Sequence, residues 1–170
     1  MQGVGKRMGK EWIANLTQDI KEKNHEAAEN YGREQHKAAI VTTQGKQFFA
    51  ALTTCLEDDV NEIKRQLQGD VTASGTNIQT VKLTEVQITR SRFPWFDARV
   101  IHQDPTIVLD YAKGLGVNGD PSLDRKTSHF TFWVADDDVL SVQEAFGDNP
   151  RRFHQPDELA KHILQLLFSV

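Results

Sequence analysis

Residues 129–146, HFTFWVADDDVLSVQEAF, constrain the fold more tightly than any other stretch. Phe130, Phe132 and Val134 alternate with His129, Thr131 and Trp133, and a period of two assigns each set to one face of a strand. After three aspartates, Leu140 and Val142 alternate with Val139, Ser141 and Gln143. The two arms read as a hairpin, and its register follows from which faces must agree. A two-residue turn would set Phe132 against Ser141. A three-residue loop of Asp136, Asp137 and Asp138 sets Val134 against Leu140 and Phe132 against Val142, which joins apolar to apolar. Loops of this length commonly hold one left-handed residue, a conformation aspartate tolerates.

A strongly apolar hairpin face needs a cover, and one follows in the chain. Pro156 suits a first helical position, and Asp157 and Glu158 suit the first turn, where the helix dipole favours negative charge. Leu159, Ile163, Leu166, Leu167 and Val170 then form an amphipathic stripe. If each were buried, roughly 1.5–3 kcal/mol apiece would favour docking on the hairpin before entropy is counted.

The first part of the chain has a different period. No proline occurs before Pro94, and residues 10–67 carry apolar side chains three and four apart. The series runs through Trp12 or Ile13, Leu16, Ile20, Ala27 and Tyr31, and resumes at Phe49, Leu52, Leu56, Val60, Ile63 and Leu67. Gly69 is a suitable stop. Between the two series, Thr42, Thr43 and Gly45 lower helix propensity by about 0.5–1 kcal/mol each relative to alanine. Two outcomes are open: one helix of nearly sixty residues, or a helical hairpin turning near residues 43–46. The weak centre favours the hairpin. The stripe around Leu16, Ile20 and Tyr31 is thin and suits contact with a single partner helix.

Between these helical parts, residues 69–80 read as a turn-rich linker. A strand follows in which Val81 and Leu83 change phase with Val86 and Ile88, as at a bulge or twist. Residues 97–103 and 107–111 give two more strands, and residues 114–126 a loop. With the hairpin this makes five strands. Short connections favour an antiparallel meander. The predicted class is α+β: a helical segment over residues 1–69, then a unit over residues 70–170 of five-stranded sheet and terminal helix, the two forming one structural unit.

The chemistry legible in the chain is sparse. Gly114-Leu115-Gly116-Val117-Asn118-Gly119 matches a dinucleotide fingerprint, but no helical stripe follows it, so a strand connector is the better reading. Three adjacent aspartates cannot all converge on one cation, which leaves residues 136–138 a solvated turn. The six histidines have no metal-ligand spacing; His102 and His129, on different strands, are the pair that a hydrolytic site with a nearby carboxylate would use. His154 and His162 read as surface residues, and the single cysteine, Cys55, as a buried inert thiol. Net charge is −4, divided between both parts of the chain, and the basic residues Lys6, Arg7 and Lys10 are too few to predict nucleic-acid binding. No apolar run reaches the ~20 residues of a membrane span. MQGVGKRMGKEW lacks an apolar leader core, so a cytoplasmic protein is expected.

The sequence therefore predicts no metal and no cofactor. The leading expectation is a non-enzymatic assembly module that associates with itself, or with another protein, through the first helical segment. Leu16, Ile20 and Tyr31 would make the contact, with Trp95 and Phe96 of the FPWF loop as a second aromatic patch. The alternative is a domain for a small apolar ligand, held between sheet and helix by Tyr111, Phe130 and Trp133.

Overall fold

A computed structural model describes residues 8–70, 75–114, 125–146 and 148–169. The glycine-rich motif beyond Gly114, the basic pair Lys6 and Arg7, Gly147 and Val170 lie outside the described residues. Helix α1 runs without a break over Met8–Gln66, so the helical hairpin expected near residue 45 is replaced by a single helix. The chain divides into two compact units, residues 1–39 and residues 40–170.

In the second unit, seven strands form one antiparallel meander in chain order. They are β1 (Thr76–Lys82), β2 (Glu85–Arg90), β3 (Trp95–Gln103), β4 (Thr106–Gly114), β5 (Arg125–Val134), β6 (Leu140–Glu144) and β7 (Arg152–Phe153). Helix α2 (Pro156–Phe168) closes the fold. The α+β class and meander hold, with two strands more than the five expected. The phase change at Thr84-Glu85 is a turn: Lys82 pairs with Glu85, and the irregularity lies at Thr80–Lys82. The last five residues of the expected linker, 76–80, therefore belong to β1. β7 contributes only two residues, too few for a period to register in sequence.

The hairpin has the register that apolar matching requires. Val134 pairs with Leu140 and Phe132 with Val142. Asp138 takes the left-handed position of the loop, at φ 63°. The apolar face so made continues across the sheet through Ile107, Leu109, Val100, Ala98 and Ile88. Phe49, Leu52, Leu56 and Val60 of α1 join this core, as do Leu159, Ile163 and Leu167 of α2. Gly45 is buried against Phe132, whose ring lies 3.3 Å from where a glycine Cβ would stand. Its role is close approach rather than chain reversal.

The ends of α2 are satisfied from both sides. Glu158 accepts from the backbone N–H of His154 and Gln155 at 3.0 and 3.4 Å. Lys113 of β4 donates to the carbonyl of Leu166 at 2.8 Å, near the negative end of the helix dipole. The opposite sheet face is mixed: it carries Val108, Ala112 and Trp133, and Arg125 bridges Asp110 and Asp97 there at 3.2 and 3.4 Å.

Candidate functional site

Residues 9–36 of α1 are exposed throughout. Within that span Trp12 is 60%, Ile13 47%, Leu16 50%, Ile20 50% and Tyr31 66% accessible. Helical spacing of three and four places Ile13, Leu16 and Ile20 on one face, and Ala27 and Tyr31 continue it. Tyr31 keeps its hydroxyl occupied locally, accepting from Gln35 Nε2 at 2.8 Å. The acidic and basic residues of this span are nearly balanced, six against five between positions 8 and 39. Leu16, Ile20 and Tyr31 thus lie together on one apolar stripe.

The FPWF loop is divided differently from expectation. Phe96 is 1% exposed and packs edge-on against Phe168 at 5.0 Å, so it belongs to the core and offers nothing to a partner. Trp95 is half-buried, and the exposed aromatic of the loop is Phe93, at 56%. Alternation along β3 accounts for this: Phe96 shares a face with Ala98 and Val100.

Tyr111, Phe130 and Trp133 do not converge on one pocket. Phe130 is buried in the core, whereas Trp133, three residues on, falls on the other sheet face. There Arg152 lies over its ring at 4.1 Å. Tyr111 borders a hollow of about 180 Å³ with Lys113, Lys126, Leu166 and Ser169, and neither Phe130 nor Trp133 lines it. Side chains of both helices fill the space where an apolar ligand was expected.

The histidines separate as well. His102 pairs with Ile107 and stacks on Phe49 at 5.4 Å, on the helix-bearing face. His129 pairs with Val108, on the opposite face, and meets Phe146. A joint acid–base site built from His102 and His129 has no geometric basis, because the sheet lies between them. His162 is half-buried rather than a surface residue. It sits 5.0 Å from the Phe153 ring, accepts at Nδ1 from the Arg151 guanidinium at 3.2 Å, and lies 3.9 Å from Glu144. Its place at the edge of the stripe, three after Leu159 and four before Leu166, was the available signal. Cys55 is partly buried, and desolvation, then Asp59, raises its pKa, against thiolate chemistry.

Desolvation lowers the pKa of His102, with Asp104 opposing and Lys46 assisting. Desolvation also lowers that of His162, with Glu144 opposing and Arg151 assisting. Both rings therefore resist protonation in the folded chain. As pH falls through about 6.5 the unfolded chain takes up protons that the folded chain refuses, so stability is highest above that value and declines below it. Urea midpoints are expected to fall between pH 7.5 and 5.5, and less so in a His102→Phe, His162→Phe variant. The same acid loss in that variant would assign the effect to other groups.

No family model, curated protein or solved structure matches the chain. Among the described residues, no helix is long and apolar enough to cross a membrane.

Proposed function

We propose that this protein is a non-enzymatic assembly module that self-associates through residues 8–39 of α1. The observation that carries the reading is the exposed stripe of Ile13, Leu16, Ile20 and Tyr31 with Trp12 beside it. Most helical stability in proteins comes from packing an amphipathic face rather than from propensity, and this face has large apolar side chains. Association removes apolar area from water at about 25 cal/mol per Å². A second copy of the same segment suits the stripe, because six acidic against five basic residues impose little like-charge repulsion between copies. The small residue Ala27 and the thinness of the stripe suit one facing helix.

Sedimentation equilibrium at micromolar concentration tests this. The wild-type chain is expected above monomer mass, and Leu16→Glu with Ile20→Glu is expected to weaken association about a hundredfold or more, through two charges placed in an apolar seam. A wild-type chain that stays monomeric at about 100 µM, or a variant that associates like wild type, overturns the reading.

A further inference from the structure

Two helices that pair through one stripe can run in either direction, and the order of residues within this stripe separates the two. Ile13, Leu16 and Ile20 are each followed, eleven residues on, by Asn24, Ala27 and Tyr31. Steps of three, four, four, three and four keep all six on one helical face, as an eleven-residue repeat does. Asn24 therefore stands inside the stripe, and it is exposed like its neighbours. Its amide carries two N–H donors and an acceptor, which an apolar seam leaves unpaired unless the partner supplies a polar group at the same level.

Antiparallel pairing over the whole stripe is centred on residue 22. Symmetry then sets Ile20 of each copy against Asn24 of the other, so two amides lose water and face apolar side chains. Sliding the copies until Ile20 meets Ala27 sets Ile13 against Glu34 and Asn24 against Lys23. Sliding them the other way, until Ile20 meets Ile20, sets Leu16 against Asn24 and Tyr31 against Gly9. Parallel pairing in register has none of these conflicts. Each apolar residue meets its own copy, and Asn24 meets Asn24, where each amide can donate to the other's carbonyl. A single asparagine in an apolar seam fixes the register of two parallel helices at some cost in stability.

We infer that two copies pair in parallel and in register through this stripe, with Asn24 of one bonded to Asn24 of the other, so that both chains leave the paired segment at the same end. The inference rests on the self-association reading and adds its direction and its register.

The test uses the full chain with Cys55→Ala and one nitroxide-labelled cysteine, introduced as Glu11→Cys or as Glu22→Cys. Both positions are solvent-exposed and eleven residues apart, so they share a helical face. In the parallel pair each label stands level with its copy, and dipolar spectroscopy is expected to find the same separation at both sites. Antiparallel pairing about residue 22 keeps the labels at 22 level but offsets those at 11 by about 33 Å along the axis. A separation at residue 11 longer by roughly 10 Å or more overturns the direction. Register is tested by sedimentation of Asn24→Asp and Asn24→Lys chains. Mixed, they are expected to associate at least about tenfold more tightly than either does alone, because opposite charges then meet at residue 24. Equal dissociation constants for the mixture and the separate chains overturn the register. A parent chain that sediments as a monomer removes self-association itself, and this arrangement with it; a dimer with unequal label separations removes the arrangement alone.

Discussion

Leu56→Ala is expected to destabilise the second unit by roughly 3–5 kcal/mol, whereas Leu16→Ala on the same helix should change its stability by less than about 0.5 kcal/mol. The residue type, the helix and the apolar spacing are alike. Burial differs: Leu56 is 0% exposed and Leu16 50%. Removing three carbons from Leu56 loses their transfer free energy and leaves a cavity among Leu52, Val60 and the sheet residues of the core. Removing them from Leu16 leaves no cavity in a single chain. The cost there should surface as weaker association instead. Urea unfolding followed by near-ultraviolet circular dichroism, which reports tertiary packing, measures the first effect. Sedimentation measures the second. A large loss of folding stability from Leu16→Ala in dilute solution would mean that its stripe is a structural element of the monomer.

The contrast also shows what periodicity conveys. Spacing identified both halves of α1 as amphipathic, but it cannot report whether the opposing surface belongs to the same chain. Where two strands constrained each other, sequence went further. Matching Phe132 with Val142 fixed a register and placed a left-handed residue among three aspartates, and Asp138 occupies it. α2 was legible because proline, acidic residues and stripe agree. β1 was missed because TNIQT alternates polar with one isoleucine and little else, as an edge strand facing the core only in part would. The candidate contacts divided on the same ground. Phe96 and Trp95 are adjacent and aromatic, and only the pleat decides which is buried. Phe130 and Trp133 are separated by an odd number of positions, so they were bound to opposite faces once the strand was straight.

Gly45 carries the second large prediction. Glycine in a helix costs about 1 kcal/mol against alanine, and that cost is what suggested a turn. The cost is offset by contact: a Cβ at residue 45 would stand 3.3 Å from Cε2 and 3.4 Å from Cζ of Phe132. Alanine there already forces the ring to yield by a few tenths of an ångström. Leucine adds three further carbons at a buried site, so overpacking of roughly 2–4 kcal/mol should exceed the propensity gain, for a net loss of about 1–3 kcal/mol. Phe132→Ala alone should cost about 3–5 kcal/mol through the cavity it leaves. Combined, the new leucine enters that cavity, and Gly45→Leu is expected to change sign, recovering about 1–2 kcal/mol. A double-mutant cycle by urea unfolding measures the coupling. If Gly45→Leu instead stabilises the chain that retains Phe132, helix propensity governs residue 45, and the close approach of α1 to the β5–β6 hairpin is not what requires glycine.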